Sequence, residues 1–254
     1  MLTRADDAEP KYRAPALEKG LDILEILARE ERPLTVSQLS NALGRSVSEL
    51  FRMVQVLEFR GFIEGSPQGF RLTNRLFTLG LQQAPLKSVV ETALPIMRDL
   101  AAATYQSCHL VVMSGDQIVV VARVESPGDL GYSVRVGYRR NLIDTTSGLV
   151  FYGCSSVERR AALRALLTDS FGARRVASFV RKAEPIGQEG FAARPSDFVE
   201  GVTDLAAPIR HNDLVEAALV TPYIRQTRQT TTRDETVAKL RQAAFAISDT
   251  LTNA

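Results

Sequence analysis

The chain has no tryptophan, only two histidines (His109 and His211) and only two cysteines (Cys108 and Cys154) in 254 residues. Two cysteines are too few for a disulfide framework, so reduced thiols and a cytoplasmic location are expected. Neither has metal-ligand spacing to a second Cys or to a His, and no zinc site or other cofactor is expected. Cys108 and His109 adjoin, but neighbours on a strand point to opposite faces. A buried thiol and a hydrogen-bonded core imidazole are therefore expected there, rather than a nucleophile with its base. No apolar run approaches the ~18–20 residues that span a bilayer, and residues 1–15 lack the apolar segment of an export signal. Neither a glycine-rich phosphate loop nor a G-x-S-x-G elbow is present. Net charge is only +2, so no global field singles out nucleic acid as a partner.

What the chain does have is local. Thr35 with Gln38, and Ser46 with Glu49, stand at capping-box spacing, which predicts a helix start at each. Leu43-Gly44-Arg45 between them is a turn short enough to hold two helices at a steep angle. Phe62–Glu64 and Phe70–Leu72 read as strands around Gly65-Ser66-Pro67-Gln68-Gly69. A helix-turn-helix followed by a wing suits the DNA major groove. Over residues 32–75, Arg32, Arg45, Arg52, Arg60, Arg71 and Arg75 outweigh Glu49, Glu58 and Glu64, a local charge of +3. That patch suits moderate, salt-sensitive binding strengthened by dimerisation.

Leu17, Leu21, Leu24 and Leu27 or Ala28 repeat at helical spacing, which predicts a first helix over about 16–30 with an apolar stripe. Val36, Leu39, Ala42 and Leu43 form the inward side of the next helix. In the third helix, about 46–60 with Gly61 as its stop, Leu50, Val54 and Leu57 face inward with Met53 at the edge. Ser48, Arg52 and Gln55 fall opposite. Phe59 also falls on this polar stripe, and the wing is its nearest cover. Residues 1–13 read as a disordered tail, 14–74 as the winged unit, 75–86 as a linker helix and 87–254 as a second domain. There, helices at about 87–104 and 235–251 frame strands at 109–113, 118–124 and 132–136. Helices at 145–153 and 157–167 and a hairpin over 209–220 tipped by Asn212-Asp213 follow. This is an α+β pattern rather than a doubly wound sheet.

The order of parts resembles the IclR family of bacterial transcription regulators from Leu17 onward. Gly44, Ser48, Arg52, Leu57, Gly61 and Phe62 carry the likeness in the winged helix. Val136-Gly137 with Asp144-Thr145-Thr146-Ser147-Gly148 carries it in a loop-into-helix segment, and residues 200–209 (EGVTDLAAPI) in a C-terminal signature. Glu49, Asn141 and Leu149 depart from the family's common residues. The resemblance implies a GAF-like sensor domain, a small-molecule effector, and a homodimer or homotetramer on a pseudo-palindromic operator.

The expected DNA-reading surface comprises Thr35, Gln38, Arg45, Ser46, Ser48, Glu49, Arg52, Gln55, Gln68 and Arg71. Arg suits guanine and Gln suits adenine by hydrogen-bond geometry, while hydroxyls at helix starts suit phosphate oxygens. Glu49 could accept from cytosine, but its cap role is preferred. The expected effector contacts are Asp144, Thr145, Thr146, Ser147 and Gly148, where free helix N–H groups could hold a carboxylate. The resemblance adds Asp204 and Thr221. An equal alternative has Asp144 capping the helix and occupying those donors. Asp204 beside an anion must be protonated or bind a hydroxyl, which favours a hydroxylated acid. Arg123, Arg135 and Arg139 are the possible countercharges. Two other readings compete: an enzyme that turns over its ligand in the second domain, with the N-terminal helices serving dimerisation, and a pure assembly module.

Overall fold

A computed structural model describes residues 13–30, 32–81, 84–128, 131–225 and 231–253. Residues 1–12 of the expected tail and 82–83 of the expected linker lie outside the described residues. One compact unit runs to Gln83 and a second begins at Ala84.

In the first unit, α1 (Pro15–Leu27), α2 (Val36–Leu43) and α3 (Val47–Phe59) precede the hairpin β1 (Ile63–Ser66) and β2 (Gly69–Leu72), and α4 (Arg75–Leu81) follows. Both capping boxes form: each hydroxyl takes the amide three residues on, and that residue's side chain takes the cap's own amide. Gly44 closes α2 at φ 61°, a left-handed value that glycine adopts without a Cβ penalty. Ile23, Leu27, Leu39, Leu50, Val54 and Ile63 make the core.

Three faces are settled by packing, two of them against expectation. On α1, Ile23 and Leu27 go inward while Leu17 and Leu21 stay exposed. Leu24 packs against the same core, so the stripe is buried only at its C-terminal end, Leu24 and Leu27, where Ile23 joins it and α3 packs against it. Ala42 is exposed rather than inward. Phe59 lies uncovered, 89% exposed, rather than under the wing. The wing is also tighter than predicted. Ser66 pairs with Gly69, so Pro67-Gln68 alone form its tip.

Leu34 adds a third strand position, exchanging hydrogen bonds of 2.9 and 2.8 Å with Phe70. Gly69 makes that approach feasible. Its φ is 127°, and a Cβ there would sit 2.4 Å from the Leu34 carbonyl carbon.

The second unit is a six-stranded antiparallel sheet in the order β5-β4-β3-β8-β7-β6. The strands are β3 (Cys108–Ser114), β4 (Gln117–Val124), β5 (Arg139–Asn141), β6 (Ala192–Pro195), β7 (Val202–His211) and β8 (Leu214–Ile224). α5 (Ala84–Thr104) and α10 (Arg233–Thr252) cover one face. The other is covered by a 3-10 turn (Leu142–Asp144), α6 (Thr146–Gly153), α7 (Val157–Phe171), α8 (Ala173–Ala183) and α9 (Ile186–Glu189).

No strand forms over 132–136. Val120 on β4 instead donates to the Tyr138 carbonyl at 3.0 Å and accepts from the Gly137 amide at 2.8 Å. The edge strand therefore starts only after Gly137. α8, β6 and the extension of β7 back to Val202 go beyond the elements expected from the sequence. The spacing of Val176, Phe179, Val180 and Ala183, all buried, carries a helical signal for α8. β6 has only four residues, alanines and a proline among them, and little strand propensity.

Candidate functional site

The outer face of α3 is built by its cap. Ser46 accepts the Glu49 amide, and Glu49 returns bonds to the Ser46 amide (3.1 Å) and hydroxyl (3.0 Å). Lys19 on α1 donates to Glu49 at 2.8 Å. These bonds, that from Lys19 foremost, hold the Glu49 carboxyl down at about 2. Glu49 is thus committed to the cap and to α1. Leu50 and Val54 bury the inner face, which turns Ser48, Arg52 and Gln55 outward. Neither Arg52 nor Gln55 has a side-chain hydrogen bond among the described residues.

Thr35 and Gln38 hold each other in the α2 cap, and Arg45 and Gln68 are exposed. Arg71 is ion-paired with Glu64 across the wing at 2.7 Å.

In the second unit a cleft opens on the sheet face that carries α6. Strand parity fills it. His109 and Val111 of β3, Ile118 and Val120 of β4, Val220 of β8 and Asp204 of β7 all point into it. A bulge at Leu110/Val111 sends Ala122 to the opposite face. Thr145, Thr146 and Ser147 line one wall, and the segment after β6, with Asp197 and Phe198, lines another.

The helix cap is Thr145, not Asp144. Thr145 Oγ1 takes the Gly148 amide at 2.9 Å, while Asp144 pairs with Arg175 at 3.2 Å. The first-turn amides of Thr146 and Ser147 carry no protein hydrogen bond among the described residues. Gly148 does not line the cleft. It lets α6 close on the 3-10 turn, because a Cβ there would lie 1.9 Å from the Leu142 carbonyl oxygen.

Thr221 is not brought to the cleft either. It pairs with Leu205 on the face covered by α5 and α10, one residue out of phase with Val220. Its buried hydroxyl has no partner among the described residues.

The countercharges also differ from those expected. Arg123 pairs with Glu125 at 3.0 Å, and Arg139 donates to Gln117 at 2.9 Å; Arg135 is outside the cleft lining. Arg140 and Arg194 are the guanidinium groups at the cleft. Arg140 pairs with Asp197 at 3.1 Å and stacks on the Phe198 ring at 4.3 Å. Phe198 in turn meets Tyr138 edge-on at 6.3 Å. The β5 register, Arg140 opposite Ile118, decides that Arg140 faces inward. No sequence signal marked so short an edge strand.

Burial, more than any charge, pushes the Asp204 carboxyl up to about 6. Asp197 adds to this, while Arg140 and Arg194 oppose it. His109 is buried and held down at about 4 by desolvation, so its ring is neutral. Its Nδ1 has no partner among the described residues, in contrast to the hydrogen-bonded core imidazole expected. Cys108 turns to the other face, its thiol directed at the Met97 carbonyl at 3.4 Å and pushed by burial up to about 12.

Comparison with known proteins bears on both units. The family model for the IclR helix-turn-helix domain matches residues 16–67, and that for the bacterial transcriptional regulator IclR C-terminal region matches 83–249. The HTH-type transcriptional regulator KdgR of Dickeya chrysanthemi is 27% identical over 96% of this chain and 81% of its own. The glycerol operon regulatory protein of Streptomyces coelicolor is 29% identical, over 92% of this chain and 94% of its own. Among solved structures, an IclR homolog of Microbacterium hydrocarbonoxydans complexed with 4-hydroxybenzoate superposes at a TM-score of 0.75. Its identity is 22%, with 94% of this chain and 100% of that chain covered, so the likeness is one of fold. With both units matched in order along the sequence, the chain belongs to the IclR family and is a DNA-binding transcriptional regulator.

Proposed function

We propose that this regulator binds a small organic or aromatic acid in the cleft of its second unit, and that the ligand changes its affinity for a pseudo-palindromic operator. One observation carries the ligand class. Two guanidinium groups (Arg140, Arg194), aromatic rings (Tyr132, Tyr138, Phe198) and the uncapped amides of Thr146 and Ser147 converge on one cleft. Cations and free amides suit a carboxylate, and the rings suit an apolar or aromatic body. Asp204 and His109 suit a hydroxyl at the other end. Thr145–Ser147, Asp204 and the two arginines are the proposed contacts.

On the DNA side, Ser48, Arg52 and Gln55 read base edges. Thr35, Gln38, Arg45, Ser46, Gln68 and Arg71 lie at the helix starts and wing, where they position the backbone. Exposed Leu17 and Leu21 on α1, and Leu76 and Leu79 on α4, support pairing into homodimers or homotetramers, which places two reading heads on two half-sites. The described residues contain no helix long and apolar enough to cross a membrane, in keeping with a cytoplasmic role.

Against the competing enzyme reading with Cys108 or Cys154 as nucleophile, neither lines the cleft, the Cys108 thiol is directed at the Met97 carbonyl and the Cys154 thiol at the Ile186 carbonyl, and burial pushes both thiols up. Electrophoretic mobility shift of the chain's own upstream DNA, with and without 4-hydroxybenzoate and related hydroxylated acids, tests the proposal. A retarded band whose midpoint moves with an acid supports it. A band that no acid moves removes the effector class, and no band at low salt removes the operator.

A further inference from the structure

The outer face of α3 is not purely polar. Phe51 is 50% exposed and takes no part in the core cluster or among the residues packed against it. At 100° per residue it lies about 40° from Gln55 and about 60° from Ser48, flanking both on the same side. It also sits in the N-terminal half of the helix, the half that reaches base edges when such a helix enters the major groove. A half-exposed phenylalanine on a solvent face forgoes the free energy of burial. In the major groove the 5-methyl group of thymine is the one apolar feature offered to a side chain, and phenylalanine can contact it. Phe59 is still more exposed, at 89%, but it closes the C-terminal end of α3, two turns beyond Phe51.

We propose that Phe51 is a specificity-determining residue of the reading head, and that it contacts the 5-methyl group of a thymine beside the base read by Gln55. This rests on α3 being the reading helix. Arg52, Gln55 and Phe51 then form a composite surface. A guanidinium suits guanine, an amide suits adenine and a ring suits a thymine methyl, so each operator half-site contains at least one thymine selected for its methyl group. The ring needs no hydrogen-bond partner and is already aimed outward by the burial of Leu50 and Val54.

The test begins by selecting duplexes from a random-sequence library with the full-length protein. Each thymine of the selected site is then replaced singly by deoxyuridine, which removes only the methyl group. One thymine per half-site should weaken binding about four-fold on replacement, the fold-change equivalent to ~0.8 kcal/mol for one buried methyl-sized group. Phe51→Ala, which removes the contact from both half-sites of the dimer's operator, should lose about sixteen-fold on the thymine duplex and bind the thymine and deoxyuridine duplexes equally. Phe51→Gln, a polar variant suited to the exposed face, should do the same, and Phe59→Ala should keep the discrimination. An unchanged melting temperature in all three variants separates loss of a contact from loss of fold. Variants that discriminate as the wild type does, or a site in which no thymine methyl matters, overturn the role of Phe51. Enrichment that Arg52→Ala and Gln55→Ala leave untouched overturns α3 as the reader, and the absence of any enriched sequence overturns the operator reading as a whole.

Discussion

Lys19 Nζ lies 2.8 Å from Glu49 Oε1, so a single carboxylate both caps α3 and ties it to α1. The Glu49 carboxyl is held at about 2 against an ordinary 4.5. A depressed carboxyl contributes stability that is complete above its ordinary value and is lost as pH falls through the folded one. Carboxylate NMR titration should place Glu49 near 2 in the native chain and higher in Lys19→Ala. An unmoved midpoint would show that the Ser46 cap alone sets it.

Arg52→Ala should lose roughly 1–3 kcal/mol of binding at one operator position and leave the others as they were. Arg71 is already paired with Glu64. Its alanine variant should weaken binding little and evenly across sequences. Base-by-base competition binding separates the two patterns, and an even loss with Arg52→Ala would demote it to a phosphate contact.

Gly148→Ala should destabilise the second unit by about 1–3 kcal/mol, as over-packing does, because the added carbon meets the Leu142 carbonyl oxygen. Gly80→Ala in α4 meets nothing within 4 Å and should be neutral or mildly stabilising. Urea unfolding of the two variants checks the contrast.

Asp204, raised to about 6 from 3.8, predicts a pH dependence. Its contribution to folding is complete below the ordinary value and is lost as pH rises through about 6. A carboxylate ligand should accordingly bind more tightly at pH 5.5 than at pH 7.5, because a protonated Asp204 no longer repels it. Calorimetric titration with a carboxylic acid found to bind the cleft should show this trend, and Asp204→Asn should flatten it. A trend that survives in the asparagine variant would assign it to another group.

His109→Leu should raise the melting temperature of the ligand-free protein, since a buried ring nitrogen without a partner costs about 1–3 kcal/mol. The same variant should respond less to hydroxylated acids in a thermal-shift assay. A lower melting temperature would mean that the imidazole is already satisfied in the native protein.

The DNA-reading unit was legible because its signals are local. Capping boxes, a glycine turn and an i, i+4 core face are written within four residues of one another, and those bonds form where the spacing says. The cleft was only half legible. Thr145–Ser147 could be found as a helix start and Asp204 through the family resemblance. Arg140, Arg194 and His109 reach the cleft through strand register, which no neighbouring residue encodes. Thr221 went astray for the same reason: a shift of one residue along a strand reverses the face.

The sequence by itself determined the two capped helices, the turn between them, the hairpin and the amphipathic ends of the second unit, because near-neighbour hydrogen bonding and periodic burial suffice for these. Tertiary structure alone decided which face of α1 is buried, that the edge strand waits until after Gly137, and which charges meet at the cleft. Each of those outcomes depends on pairing between segments far apart in the chain, where backbone groups and side chains compete for partners that only the packed fold supplies.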